Sequence, residues 1–344
     1  MKAIVFHGPG DLRYEELPIP RPGAGELVIK VEAALTCGTD VKTFRRGHPV
    51  MIPVVPTVFG HECAGRVVEI GRGVAGFRVG DRVVPANSAP CALCRSCMQG
   101  HHNLCDDLLF FNGAFGEYLL IPARVVQRNL ARISQDLPAA RAAFAEPLAC
   151  SLLAVERAQI EAGESVAVFG HGPLGALLAL LALHRKARVI VVGKSGWRLD
   201  RVRALGWAEC VDALEVPGAV RTLRDLTDGH GVDVAIDATG QPRVWEQTIH
   251  AVGKGGTVVF FGGCAPGTSI TLDTRRVHYE ALSLLGSFHH TPEMIQRALG
   301  LLESGAVIPD PLISHEMDVR DVPDALKLMS EGRAMKVVIH PGRE

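Results

Sequence analysis

One segment near the middle of the chain combines an apolar strand, a glycine-rich turn and an apolar helix. Residues 165–169 read as a buried strand, the sequence GHGPLG follows at 170–175, and residues 174–184 are almost entirely apolar. A GxGxxG pattern is weak evidence alone, but one that leaves a strand and opens a helix is typical of dinucleotide-binding units. The segment therefore predicts a parallel sheet covered by helices.

Each glycine of the turn has a distinct role in such a unit. Gly170 permits the tight turn, Gly172 lets the backbone approach a pyrophosphate, and Gly175 allows close packing of helix on strand. Pro173 and Leu174 open the helix, whose N-terminus favours phosphate charge. The alternative is a plain glycine turn without a ligand.

The same alternation continues after this turn. Further buried-type strands are predicted at 189–192, 232–236, 257–261 and 282–285. Continuous apolar strands alternating with helices predict a doubly wound α/β sheet of about six strands.

The first 150 residues have a different texture. Short β-like runs at 27–31, 65–70 and 82–85 are separated by Gly and Pro, which predicts a compact, mostly antiparallel β domain. After residue 286 only a helix over 292–302 and a strand over 336–340 are expected, too few for an independent domain. We therefore expect domains at 1–150 and 151–288, with 289–344 returning to the first.

Charge and hydropathy exclude several functional classes. The 344 residues carry 36 Lys and Arg against 37 Asp and Glu, without a basic block that would bind nucleic acid or an anionic membrane. The longest apolar run, 174–183, is too short to cross a bilayer, and the N-terminal MKAIVFHG reaches glycine too early for a secretory signal. A cytoplasmic protein is expected.

Four of the nine cysteines lie close together, at Cys91, Cys94, Cys97 and Cys105. This spacing lets four thiolates converge on one Zn²⁺ with no open position, which predicts a structural zinc site. A reduced cysteine-rich loop and an iron–sulfur cluster are the alternatives.

A second group of candidate ligands is dispersed along the chain. Cys37 lies in TCGTD at 36–40, His61 and Glu62 in GHE at 60–62, and Glu146 in AEPL at 145–148. Taken singly, such a cysteine is more often a small buried residue, and such a histidine a core residue. Only the combination suggests a metal site.

The strand after the glycine turn lacks an expected carboxylate. Where an acidic side chain would bind the adenosine ribose, the chain has Gly193, Lys194 and Ser195, followed by Arg198. These residues do not repel a 2′-phosphate and supply cationic and hydroxyl contacts to it, which favours NADP(H) over NAD(H). The alternative is that Lys194 and Arg198 are solvated loop charges, and that NAD(H) binds with help from Asp200.

The order of these motifs resembles the zinc-containing medium-chain dehydrogenase/reductase family over essentially the whole chain. The sequence is most similar to the sorbitol, threonine and sugar-alcohol dehydrogenases, because Glu146 stands where other alcohol dehydrogenases present a cysteine ligand. The resemblance implies a GroES-like β-rich catalytic domain beside a Rossmann domain.

The same resemblance implies roles for the dispersed residues. Cys37 and His61 would bind a catalytic zinc, with Glu62 or Glu146 as a third ligand and Thr39 as the hydroxyl that relays the proton. Because His61 and Glu62 are adjacent, a regular strand would turn them to opposite faces, so joint ligation requires another backbone shape. Otherwise Glu62 orients His61 and Glu146 is the direct ligand. The family's proton relay often continues to a histidine, where this chain has Lys42.

Weaker assignments also follow from the resemblance. The backbone around Gly262, Gly286 and Ser287 would receive the nicotinamide end, near the loop that follows the strand ending at Asp237. Four phenylalanines either line the substrate pocket or belong to the core: Phe44, Phe110, Phe111 and Phe115.

The expected function is a two-zinc, NAD(P)-dependent oxidoreductase that transfers a hydride to or from a secondary alcohol or polyol. One rival is a catalytically silent dinucleotide-binding structural protein of the same fold, against which the intact ligand set argues. A zinc-free quinone or enone reductase would lack both the ligand set and the cysteine cluster. The resemblance suggests a homodimer or homotetramer acting on a small alcohol or ketone.

Overall fold

The computed structural model of the protein describes residues 1–212 and 216–342. Its strands, in chain order, are β1 (Lys2–Gly8), β2 (Asp11–Glu16), β3 (Leu27–Leu35), β4 (Thr57–Val58), β5 (Glu62–Ile70), β6 (Arg82–Pro85), β7 (Ser88–Ala89), β8 (Leu109–Phe110), β9 (Tyr118–Ile121), β10 (Leu130–Arg132), β11 (Ser165–Phe169), β12 (Arg188–Gly193), β13 (Glu209–Asp212), β14 (Val232–Asp237), β15 (Val252–Phe260), β16 (Ser283–Gly286), β17 (Ile313–Asp318) and β18 (Lys336–His340).

The helices of the same residues are α1 (Gly38–Arg46), α2 (Arg95–Met98), α3 (Ala123–Arg128), α4 (Ala139–Ala142), α5 (Ala145–Ala158), α6 (Pro173–His184), α7 (Trp197–Ala204), α8 (Val216–Asp225), α9 (Pro242–Ala251), α10 (Thr274–Tyr279), α11 (Pro292–Glu303) and α12 (Val322–Ser330). Short 3-10 helices lie at His102–Leu104, Asp310–Leu312 and Val319–Asp321. Within the described ranges, none of the helices has the length and apolar character needed to span a bilayer.

The chain divides into two compact units. The first contains residues 1–149 together with the chain from His290 onward, and the second contains residues 150–289. The boundary near residue 150 falls inside α5.

The first unit is built on a seven-stranded sheet. Six of its strands follow the order β10-β6-β5-β3-β18-β17, and the seventh, β9, pairs with β3. Its pairs are antiparallel except β17 with β18. A smaller sheet has the order β2-β1-β4. In the core the buried rings of Phe6 and Phe59 stack with centroids 5.4 Å apart, and Phe115 meets Phe59 edge-on with centroids 6.0 Å apart. The predicted β-rich, mostly antiparallel first domain is confirmed.

The C-terminal elements belong to this first unit. β18 pairs with β3, where Ile339 lies opposite Ala34, and α12 contributes Leu326 and Met329 to the same core. The sequence analysis predicted α11 and β18 but neither β17 nor α12. The sequence ISHEMD of β17 is half-buried and polar, so it lacks the alternation that marks a strand.

The second unit is a six-stranded parallel sheet with the order β13-β12-β11-β14-β15-β16. This order is that of a doubly wound dinucleotide-binding sheet, so the predicted fold class is confirmed. The central strands are covered by helices on both faces and are therefore almost wholly apolar. β13 was not predicted individually, because its sequence ECVD contains only one buried residue, Val211.

Candidate active site and its relatives

The N-terminus of α1 positions the first candidate ligand. Cys37 caps the helix: its buried Sγ accepts a hydrogen bond from the backbone N–H of Thr39 at 3.4 Å. The Asp40 carboxylate accepts the backbone N–H of Cys37 at 2.7 Å, which completes a reciprocal cap. The cap fixes the thiol and the Thr39 hydroxyl to one rigid turn.

Asp40 also fixes the second candidate ligand. Oδ1 of Asp40 lies 2.9 Å from Nδ1 of His61, and both side chains are buried. Although burial alone lowers the pKa of His61, the Asp40 carboxylate raises it well above its usual range. An N–H at Nδ1 that donates to Asp40 leaves Nε2 as the ring nitrogen suited to ligation.

The backbone before β5 allows His61 and Glu62 to converge. His61 precedes the strand and Glu62 is its first residue, while Gly60 has a φ of +88°. One ligand atom from each of Cys37, His61 and Glu62 lies within 4.8 Å of the others. The regular-strand geometry that would separate the two side chains is therefore absent at this point.

Lys336 of β18 completes this cluster. Its Nζ donates to Oε2 of Glu62, and the Glu62 carboxylate raises the pKa of Lys336 although burial alone would lower it. Oε1 of Glu62 is buried and has no hydrogen-bond partner among the residues that the structure describes. Buried polar atoms normally have a partner, and a metal ion bound by Glu62 would be such a partner for this oxygen.

Glu146, at the start of α5, lies outside this three-residue group. Its Oε1 accepts from Nδ2 of Asn87 at 3.2 Å, and Oδ1 of Asn87 lies 3.0 Å from Nε2 of His290. All three residues are buried in the first unit. Glu146 is nevertheless close enough to Glu62 for the two charges to interact.

The four clustered cysteines also converge. Their sulfur atoms lie within 4.8 Å of one another around α2 and the His102–Leu104 turn, and none is in a disulfide. Backbone N–H groups of Leu93 and Cys94 donate to Sγ of Cys91 at 3.4 and 3.3 Å. These hydrogen bonds lower the pKa of the Cys91 thiol to about 6, which favours the thiolate that a metal requires.

The glycine turn joins β11 to α6 in the second unit. Gly170 has a φ of +121°, which a side chain would strain, and a Cβ on Gly175 would lie 1.9 Å from the carbonyl oxygen of Gly170. Gly172 caps α6 and has open space where a Cβ would be, followed by Pro173 and Leu174 in the first turn. The turn therefore presents bare backbone at a helix N-terminus, as a pyrophosphate site requires.

The residues that follow β12 are those expected to contact the adenosine ribose of the dinucleotide. Lys194 and Ser195 are exposed, Arg198 is half-buried, and the backbone N–H of Ser195 donates to Oδ1 of Asp212 at 3.0 Å. Asp200, the alternative acidic residue, pairs instead with Arg203 at 2.7 Å on the same helix.

The loops at the carboxyl ends of β14, β15 and β16 contain the other expected cofactor residues. Asp237 accepts from Thr239, Gly240 and Trp245, and a Cβ on Gly262 would lie 2.6 Å from its Oδ2. Ser287, after Gly286, donates its N–H to Phe260, whereas its buried Oγ has no partner within the described part of the chain. Asp237 thus holds two of the loops.

The four phenylalanines separate into two groups. Phe115 is fully buried against Phe59, and Phe44 packs against the same core. Phe110 and Phe111 line a cavity of about 380 Å³ in the first unit, and Phe111 also faces a small space lined by His61. Phe111 therefore shares a space with His61, whereas Phe115 packs beside Gly60 in the core.

Comparison with known proteins agrees with this geometry. One family model, the alcohol dehydrogenase GroES-like domain, matches residues 23–130, and another, the zinc-binding dehydrogenase, matches residues 173–304. The erythritol/L-threitol dehydrogenase of Mycolicibacterium smegmatis is 34% identical, covering 99% of this chain and 98% of its own. The chain belongs to the zinc-containing medium-chain dehydrogenase/reductase family.

Other relatives support the same assignment. The sorbitol dehydrogenase of Halalkalibacterium halodurans is 33% identical over 99% of each chain. The structure of a zinc-binding dehydrogenase from Sinorhizobium meliloti 1021 bound to NADP has a TM-score of 0.90 and 30% identity, again over 99% of each chain. This member of the family is an oxidoreductase of the sugar-alcohol dehydrogenase subgroup, so the alternative of a catalytically silent protein is not supported.

Sequence reasoning missed several residues of the candidate site. The position of Asp40, three residues after the helix cap Cys37, indicated a capping role. Lys336 carried another signal, because it is the one charged residue at the start of the apolar run KVVI. Asn87 and His290 lie in no recognisable motif.

Proposed function

We propose that this enzyme uses a catalytic zinc and NADP(H) to interconvert a secondary alcohol or polyol with its ketone. The observation that carries the proposal is the buried convergence of Cys37, His61 and Glu62, in which one oxygen of Glu62 has no hydrogen-bond partner among residues 1–212 and 216–342. A thiolate, an imidazole and a carboxylate are the ligand types of a catalytic zinc site with an open position.

Glu62 is the better candidate for the third ligand. It shares the cluster with Cys37 and His61, whereas Glu146 is hydrogen-bonded to Asn87. The charge of Lys336 compensates the Glu62 carboxylate, and Asp40 orients the imidazole of His61. Glu146 is then proposed as the neighbouring carboxylate that exchanges with Glu62, a role supported by the pKa of Glu62, which burial raises and the repulsion between the two charges raises further.

A zinc ion bound there would supply Lewis-acid chemistry, which makes the hydroxyl of a bound alcohol more acidic. Thr39, whose backbone N–H donates to Sγ of Cys37 in the same turn, provides the hydroxyl that passes the substrate proton outward. Lys42, exposed on α1, takes the place of the histidine that often continues the family's relay. A nicotinamide bound in the second unit would accept the hydride that the carbinol carbon loses when the alcohol becomes a ketone.

The cysteine cluster is proposed to hold a second, structural zinc. Its support is the convergence of four sulfur atoms, which leaves no ligand position for substrate. The cofactor preference is proposed from Gly193, Lys194, Ser195 and Arg198, because no carboxylate stands at residue 193 to repel a 2′-phosphate. The cytoplasmic location and the homodimeric or homotetrameric state stay predictions.

The catalytic assignment is tested by substitution at the cluster and at Thr39. Cys37→Ala and His61→Ala should abolish turnover of polyols while NADPH binding, measured by fluorescence titration, is retained. Thr39→Ala should keep its zinc but lose roughly 10²–10⁴-fold in rate. Thr39→Ser, which keeps the hydroxyl, should retain most of the wild-type rate.

The same experiment can refute the assignment. Near-normal alcohol oxidation by Cys37→Ala with a full zinc complement would contradict a catalytic zinc at this position. A screen of polyols, amino alcohols and sugar derivatives, read from NADPH absorbance, then identifies the substrate.

A further inference from the structure

The imidazole of His171 occupies the space beside Gly193. An ideal Cβ built on Gly193 would lie 2.1 Å from Nδ1, 2.5 Å from Cγ and 2.9 Å from Cβ of His171. Carbon and nitrogen atoms that are not bonded do not approach so closely, so no side chain fits at residue 193 while His171 keeps this position.

The sheet register explains why these two residues meet. β11 and β12 are parallel neighbours in which Phe169 lies opposite Val192, and the N–H of Gly170 donates to the carbonyl of Val192 at 2.8 Å. Gly193 is therefore the next residue of β12 after this last pair, and His171 lies two residues beyond the end of β11. The backbone of the two strands therefore fixes the Cβ of His171 beside Gly193, and the half-buried imidazole extends from it into the same space.

Residue 193 is the end of the strand where dinucleotide-binding units of this type place the acidic residue that binds the adenosine ribose. We propose that His171 is a specificity-determining residue of the cofactor site: it fills the space of a side chain at residue 193 and so excludes that carboxylate. The proposal rests on the NADP(H) preference proposed above and assigns it a steric cause.

The neighbouring charges agree with this role. Burial, and after it the charge of Arg198, lower the pKa of His171; Asp212 raises it by less than Arg198 lowers it, and Lys194 lowers it further. This lowered pKa favours the neutral ring, whose effect on residue 193 is one of volume. With the carboxylate excluded, Lys194 and Arg198 remain as the cationic residues at this end of the site.

The proposal requires that substitutions at 171 and 193 depend on each other. In the His171 background, Gly193→Ala and Gly193→Asp should each lower the Tm, by roughly 2 to 10 °C, because they overpack the contact. With His171→Ala only the 2.9 Å contact remains, which a shift of a few tenths of an ångström relieves. In that background Gly193→Ala and Gly193→Asp should lower the Tm only slightly.

Cofactor affinity provides the second measurement, by fluorescence titration with NADPH and NADH. Gly193→Asp alone should bind both cofactors poorly, whereas the double variant His171→Ala/Gly193→Asp should bind NADH more tightly than NADPH, by roughly tenfold to a hundredfold. His184→Ala, at the exposed end of α6, is the matched control and should leave the wild-type preference intact.

The outcomes separate the two proposals. A wild-type preference for NADH would refute the proposed use of NADP(H), and the Tm values would still decide whether His171 restricts residue 193. If Gly193→Asp reverses the preference as fully with His171 as without it, and without loss of Tm, the role of His171 is refuted.

Discussion

Lys336 and Glu62 form a buried ion pair that joins the last strand of the chain to the first residue of β5. Both side chains are at most 1% exposed, and Nζ of Lys336 donates to Oε2 of Glu62. Removing one partner of a buried pair leaves the other as an uncompensated charge, which is strongly destabilising. The pair therefore couples the stability of the first unit to the charge of the candidate metal site.

Lys336→Met should lower the free energy of unfolding by about 3–5 kcal/mol, because it leaves the Glu62 carboxylate buried without its counter-charge. The measurement is urea denaturation followed by circular dichroism. Lys327→Met, at an exposed position of α12, is the control and should change stability by less than about 0.5 kcal/mol. Equal stability of the two variants would show that the ion pair contributes little.

Asp40→Asn should weaken zinc binding at the catalytic site by about 10–100-fold, the usual effect of removing the group that orients a histidine ligand. Asparagine keeps one acceptor oxygen for the N–H of Cys37, so the helix cap is largely preserved. Competition with a chromophoric chelator measures the affinity, and Asp136→Asn, at an exposed position, is the control. Unchanged zinc affinity would refute the role given to Asp40.

Asp237→Asn should weaken NADPH binding about tenfold or more while the zinc content stays constant. Both oxygens of the Asp237 carboxylate accept hydrogen bonds from N–H and O–H groups. In asparagine the N–H₂ group, itself a donor, would face at least one of these donors. The loops at 238–240 and near Gly262 would then lose their common anchor. Asp225→Asn, exposed on α8, should bind NADPH normally, and an Asp237→Asn variant that did the same would contradict this reasoning.

Metal analysis of the wild-type protein should give about two zinc ions per chain. Cys94→Ser should reduce this to about one and lower the Tm, because the remaining thiolates no longer close a tetrahedral site. Cys210→Ser, outside the cluster, should retain both ions. A brown iron–sulfur chromophore in the purified protein would overturn the structural-zinc assignment.

The sequence was most informative where a local pattern decides the structure. The run from β11 through GHGPLG into α6 shows a buried parallel strand, a turn that needs glycine and a helix within twenty residues, and each lies where the pattern predicts it. The four cysteines are equally local, since their spacing alone brings the sulfur atoms together.

The hydrophobic pattern of the sequence was uninformative where pairing with an adjacent strand decides the conformation of a segment. β17 is half-buried and polar, and it is a strand because it pairs with β18 as the edge of the sheet. β13 is short and has one buried side chain, so its strand state depends on pairing with β12.

The sequence by itself determined the two architectures, the family, the glycine turn and the set of candidate ligands, because these depend on residue type, order and short spacing. Tertiary structure alone decided that Glu62 joins Cys37 and His61, that Lys336 compensates its charge and that His171 fills the space beside Gly193. Each of these contacts joins segments that are distant in sequence, and only the packing of strands brings such segments within the few ångströms over which ligation, charge and volume act.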